Sequence, residues 1–132
     1  MPFEFTQLTP NLVVADVARS IAFYRDVLGM TLTRTVPDEG PFVFASLECG
    51  RVEIFLNSMA AAVAEYPAFS NQHIGGTLTQ FIQVTGVRAM HAALDGKVTV
   101  VMPLEKKWYG VTEFAISDPD GFLITFAEVE PE

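Results

Sequence analysis

The second half of this chain repeats the pattern of the first, which leaves few architectures open to it. A shift of 70 residues sets Thr9 on Thr79, Val14 on Val84, and Val52-Glu53-Ile54-Phe55-Leu56 on Phe122-Leu123-Ile124-Thr125-Phe126, at low identity. Each copy reads as strand, helix and three strands. In the first, Leu8 to Ala15 alternates as a strand, and Asp16 caps a helix that carries Val17, Ile21, Tyr24 and Leu28 on one face and stops at Gly29. Met30 to Val36, Phe42 to Cys49 and Val52 to Asn57 follow as strands, separated by Pro37-Asp38-Glu39-Gly40-Pro41 and by Gly50-Arg51. In the second copy the elements are Thr77 to Thr85, a helix from Val87 to Leu94 stopped by Gly96, then Val98 to Met102, Thr112 to Ser117 and Phe122 to Glu128. The expected class is α+β, one domain over residues 1–132, with modules at about 6–58 and 76–129. The connection, about 59–75, is rich in alanine at 60, 61, 62 and 64, which suits a short helix that can serve as linker, lid or both.

Charge narrows the possible partners. Sixteen Asp and Glu against eight Lys and Arg leave a net charge of −8, which repels phosphate backbones and anionic lipid. Nucleic acid is therefore not an expected partner, and a cationic small molecule is favoured. The N-terminal residues Met1-Pro2-Phe3-Glu4-Phe5 carry no basic region followed by an apolar stretch, and no later run is long enough to span a bilayer. A cytoplasmic protein with no membrane partner is expected. Cys49 is the only cysteine, so no intrachain disulfide can form, and it reads as a small buried hydrophobe. His73 falls in the connection and His91 on the second helix, away from the strands, and neither reads as a metal ligand.

Strand alternation sorts side chains onto two faces. Leu12, Val14, Val52, Ile54, Leu56, Ile82, Val84, Phe122, Ile124 and Phe126 belong beneath the helices. Thr9, Asn11, Glu53, Phe55, Asn57, Thr79, Phe81, Gln83, Leu123 and Thr125 fall on the other face, a mixture of aromatic, amide, hydroxyl and carboxylate groups that suits a ligand-binding concavity. Pairing across Gly50-Arg51 puts Glu48 beside Glu53, and the Pro119-Asp120-Gly121 turn brings Glu113 to the same side among apolar neighbours. Trp108 and Tyr109, in the loop before a strand, offer flat faces with polar tips for a planar ligand or a partner subunit. The candidate ligand-binding residues are Asn11, Glu53, Phe55, Phe81, Trp108, Tyr109, Glu113 and Thr125, with catalytic residues unassigned.

Two stretches carry a family resemblance: Leu12-Val13-Val14-Ala15-Asp16-Val17 followed by Ser20-Ile21-Ala22-Phe23-Tyr24-Arg25-Asp26-Val27-Leu28-Gly29, and Asp118-Pro119-Asp120-Gly121 leading into the last strand. With the paired βαβββ order, the chain resembles the vicinal oxygen chelate superfamily, which includes glyoxalase I, extradiol dioxygenases, fosfomycin-resistance transferases and bleomycin-resistance proteins. The resemblance implies an eight-stranded curved sheet around a cleft, in homodimers whose subunits share the sites. Metal-dependent members place ligands on the first and last strands of each module, which here fall on Thr9, Phe55, Thr79 and Thr125. A threonine hydroxyl is a poor ligand for a divalent ion and a phenyl ring is none, so no metal and no cofactor are expected. The resemblance therefore points to the metal-free branch, which sequesters a cationic, partly planar antibiotic at the dimer interface without modifying it. On that reading Trp108, Tyr109 and Phe55 stack on or cover the ligand while Glu113 and Glu53 pair its charges. This chain departs from that branch in having one tryptophan and an extra residue before Glu113. The alternatives are a lyase or isomerase that handles a small hydroxy or keto substrate by acid–base chemistry at Glu113 or Glu53, and a scaffold dimer with an unused cleft.

Overall fold

A computed structural model describes residues 2–130. The first module comprises β1 (Asn11–Val14), α1 (Val17–Ile21), β2 (Thr31–Val36), β3 (Phe44–Cys49) and β4 (Val52–Ser58). The connection holds α2 (Met59–Glu65) and a 3₁₀ turn over Pro67–Asn71. The second module comprises β5 (Thr79–Gln83), α3 (Val87–Leu94), β6 (Thr99–Lys106), β7 (Val111–Ser117) and β8 (Leu123–Val129).

Hydrogen bonding divides the eight strands into two four-stranded sheets, in the orders β1-β4-β3-β2 and β5-β8-β7-β6. The repeat extends to the register. Asn11 lies opposite Phe55 and Leu12 opposite Leu56, while Phe81 lies opposite Thr125 and Ile82 opposite Phe126, which are the same positions 70 residues on. The first strand of each module pairs parallel with its last, because the crossover helix reverses the chain between them.

The greasier face of each strand packs as the alternation requires. Leu12, Val14, Ile54, Leu56, Phe114, Ile116, Ile124 and Phe126 join Val17, Ile21, Tyr24, Val87 and Leu94 from the helices in one buried cluster that runs through both modules. Val52, Ile82 and Val84, expected in the core, are half-buried and flank it.

Local geometry corrects the sequence reading in five places. β1 begins at Asn11 rather than Leu8, because Leu8 is 91% exposed and has no apolar surface to cover it. The first helix is α-helical only to Ile21. From Ala22 to Val27 it widens into a π-turn, with Leu28 N–H donating to Phe23 five residues back at 3.1 Å, and Tyr24 is turned into the core. β5 is shorter than expected, and β6 runs four residues further, to Lys106, to close a hairpin with β7. Cys49 is exposed, because it sits at the β3–β4 turn, where the strand has left the cover of the helices. Among the described residues no helix is long and apolar enough to cross a membrane.

The modules are tied by the turn between β7 and β8. Asp118 Oδ1 accepts from the amides of Asp120 and Phe122, both at 2.9 Å, and its Oδ2 accepts from Tyr24 Oη at 2.7 Å. Asp120 accepts from Ala15 N at 3.1 Å, Arg19 Nη2 at 2.9 Å and Ser20 Oγ at 3.2 Å. The second module thus supplies the carboxylates that meet the Ala15 amide and the Arg19, Ser20 and Tyr24 side chains of the first. Burial pushes the Asp118 carboxyl above the usual carboxylate range despite its three donors. The Tyr24 phenol is raised as well, by burial first and then by the neighbouring Asp118 charge.

Candidate functional site

The eight predicted residues do not gather in one place; they divide between the two sheets. Thr125 and Phe81 face each other across β8 and β5, on the sheet surface away from α3. Glu113 joins them from β7, opposite Ala127. Trp108 and Tyr109 form the tip of the β6–β7 hairpin, closed by Gly110 N–H on Lys107 C=O at 3.0 Å, with Gly110 at φ 87° where a side chain would be strained. Trp108 is 94% exposed, and its ring meets Tyr109 edge to face at 5.2 Å.

Glu113 is the unusual member of this group. It is only 6% exposed, and Tyr109 Oη, four residues back on the same hairpin, donates to its Oε1 at 2.8 Å. Among the described residues nothing pairs with its other oxygen, which is fully buried. A buried carboxylate oxygen without a donor is costly. The same contact raises the Tyr109 phenol, first through the hydrogen bond to Glu113 and then through burial. Phe81, at 55% exposed, and Leu123, at 38%, leave the surrounding sheet surface open and apolar.

Asn11, Glu53 and Phe55 lie on the corresponding face of the first module. Glu53 has Glu48 opposite it, as the register required, but its Oε1 accepts from Gln7 Nε2 at 3.0 Å and Thr9 Oγ1 at 3.3 Å. The chain's own N-terminal segment therefore uses the acceptor that was expected to meet a ligand, and Glu48 is exposed beside it. Asn11 and Phe55 line a cavity of about 450 Å³ whose remaining walls include Phe44, Asn57, Tyr66 and Phe69. None of Phe81, Trp108, Tyr109, Glu113 and Thr125 lines it.

The sequence reading passed over the residues that close this cavity. Phe44 was legible, since it shares the strand face of Phe55 and meets its ring at 5.2 Å. Tyr66 and Phe69 were not, because they come from the connection, where no period assigns a face; their rings meet at a tilt, centroids 5.4 Å apart, at the start of the 3₁₀ turn. Ala62 of α2 is buried against the same cavity, so the alanine-rich stretch roofs the first sheet.

The positions at which metal-dependent relatives of the resembled superfamily hold an ion do not fit one here. Thr79 and Thr125 hydroxyls share a hydrogen bond at 3.0 Å, Thr9 donates to Glu53, and Phe55 packs on Phe44. Among the described residues no group of three or more His, Cys, Asp or Glu is placed to hold a metal.

A sequence profile described as the Glyoxalase/Bleomycin resistance protein/Dioxygenase superfamily matches residues 6–126, and the chain belongs to that family. A protein named bleomycin resistance protein from Geobacillus stearothermophilus is 32% identical over 131 residues, covering 91% of this chain and 94% of the relative. Among solved structures, TioX from Micromonospora sp. ML1 superposes with a TM-score of 0.77 at 20% identity, covering 96% of this chain and 100% of the other. The bleomycin-binding protein of Streptomyces verticillus, solved with copper(II)-bleomycin, superposes with a TM-score of 0.67 at 23% identity, covering 97% of this chain and 99% of the other. At those identities the two structures speak for the fold.

Proposed function

We propose that this chain is a small-molecule binding protein that sequesters a cationic, partly planar ligand of the bleomycin type, without a bound metal, in a cleft completed by a second copy of the chain. The observation that carries this reading is the unpaired, buried oxygen of Glu113. A ligand ammonium or amidinium supplies the donor it lacks and gains a charge-assisted hydrogen bond in a setting with little competing water. Tyr109 holds the other oxygen and, half-exposed on a hairpin tip, is the group that swings aside to admit the ligand. Trp108 offers the stacking surface, and the net charge of −8 draws cations toward the cleft. The relative named bleomycin resistance protein supports the ligand class. The open apolar surface of Phe81 and Leu123 supports a second copy as its cover.

The test is titration of metal-free and copper-loaded bleomycin against Trp108 fluorescence, with sedimentation to follow the oligomeric state. Saturable quenching by a dimer is expected, with Glu113→Gln weakening binding about ten- to a hundredfold, the worth of one hydrogen bond to a charged group. Absence of quenching, or equal affinity in Glu113→Gln, would overturn the reading. Chemical conversion of the ligand would replace it with the enzyme alternative.

A further inference from the structure

The cavity on the first module has a chemistry unlike that around Glu113. Its floor carries Phe44 and Phe55, 5.2 Å apart, and its roof carries Tyr66 and Phe69, 5.4 Å apart. Two aromatic pairs from separate elements, enclosing about 450 Å³, leave a slot lined on both sides by ring faces and edges. The volume is within the range of about 300–1,000 Å³ typical of sites for drug-sized molecules. Between the rings lie two amides. Asn57 Nδ2 donates to Asn11 Oδ1 across the β1–β4 pair, which orients both side chains. Among the described residues Asn57 Oδ1 and Asn11 Nδ2 have no side-chain partner, so the floor presents one acceptor and one donor group.

We infer that this cavity binds an uncharged planar heteroaromatic that carries an N–H donor and a carbonyl acceptor on one edge, a fused-ring lactam, with Asn57 and Asn11 reading that edge and the four rings holding its faces. The inference rests on the reading of the chain as a small-molecule binder but not on Glu113, and it commits to a neutral ligand where that reading commits to a cation. Asn11 is exposed and Asn57 half-buried in the free chain, so a hydrocarbon of the same shape would displace water from both amide groups without replacing its hydrogen bonds, which is how a donor and acceptor pair discriminates. The roof belongs to the same chain, so a monomer can hold this ligand, whereas the proposed cation site needs a second copy.

The test uses isoquinolin-1(2H)-one as probe, with its N-methyl derivative and naphthalene as analogues lacking the donor or both groups, followed by calorimetry and by amide chemical-shift changes in the full-length protein. Saturable binding of the lactam is expected, at least tenfold tighter than either analogue, with shifts at Asn57, Ala62 and Phe69. Asn57→Leu should abolish the discrimination, and Phe44→Ala should weaken all three compounds alike. Glu113→Gln should leave the lactam unaffected. Equal binding of the three compounds to the wild-type protein, or shifts confined to Trp108 and Glu113, would overturn the inference even if the Asn57 variant does not fold. Lactam binding without bleomycin binding would sink the cation reading and keep this one, and the converse result would do the opposite.

Discussion

The two modules share a frame, offset by 70 residues in the first and last strands and by 69 where β7 answers to β3, and differ at most positions that face the concave side. Asn11 in the first answers to Phe81 in the second, Phe55 to Thr125, and Asn57 to Ala127. Phe44, opposite Asn57, answers to Glu113, opposite Ala127. The first face is thus aromatic with amides and roofed by α2, and the second is a buried carboxylate with hydroxyls beneath an exposed Trp108. Core positions on the other face kept their apolar character in both copies, because a methylene lost there opens a cavity. Duplication fixed the scaffold and left the concave positions free to take separate chemistries.

The tie between modules breaks this symmetry most strongly, so it carries the largest expected effect. The β3–β4 turn, Gly50-Arg51, makes no bond to the other module among the side-chain hydrogen bonds of the described residues, whereas the β7–β8 turn makes several through Asp118 and Asp120. Asp118→Ala strands the Tyr24 hydroxyl and two buried amides and should lower stability by roughly 3 kcal/mol or more in urea unfolding, against under about 0.5 kcal/mol for Arg51→Ala. A small effect of Asp118→Ala would mean that the shared apolar core, rather than this turn, holds the modules together.

A second difference lies in how the two crossover helices begin. Asp16 caps α1 with its own side chain, accepting from Arg19 N at 3.1 Å. α3 starts at Gly86, at φ 77°, and borrows Glu128 from β8, which accepts from the amides of Gly86 and Val87 at 3.0 Å. Glu128→Ala should therefore cost about 1 kcal/mol, much as Asp16→Ala does, although it lies 42 residues from the helix start it serves. Thermal melts of the two single variants check the equivalence.

The smallest effect concerns acid. Hydrogen bonds from Arg88 and then Thr112 hold the Glu130 carboxyl down to about 2, whereas in the first module the exposed pair Arg25–Asp26 lowers its carboxyl through the arginine alone. A depressed carboxyl contributes its stability above its unfolded value near 4.5 and loses it as pH falls toward 2. Asp118, raised by burial, acts with the opposite sign: holding its charge in the fold is a penalty that fades on acidification. Glu130→Gln should lower the melting temperature by a constant amount above about pH 5, and the gap from the wild-type protein should close as pH falls from about 4.5 to 2.

What was legible in the sequence followed from periodicity. α3 spans Val87–Leu94 as expected because Gly86 and Gly96 bracket an apolar face of helical spacing, and Asp16 caps α1 because its carboxylate precedes that spacing directly. Periodicity also grouped Asn11, Glu53 and Phe55 on one strand face and Phe81 and Thr125 on another, as the register has them. It could not show that the candidate residues divide between two sheets, since strand alternation carries no information about distance between sheets. It was blind to the occupation of Glu53 by Gln7 and Thr9, and to Tyr66 and Phe69, which come from segments with no period. The π-turn at Ala22–Val27 was hidden for a related reason: one extra residue per turn leaves nearly the same spacing of apolar residues.

The reach of Asp120 across the chain has a consequence for how the protein is made. Its bond to Ser20 joins residues 100 apart, and it serves a helix start near the beginning of the chain. During synthesis the first module is therefore complete in sequence long before it is complete in structure. The side chains of Arg19 and Ser20 wait for a carboxylate that leaves the ribosome about 100 residues after them.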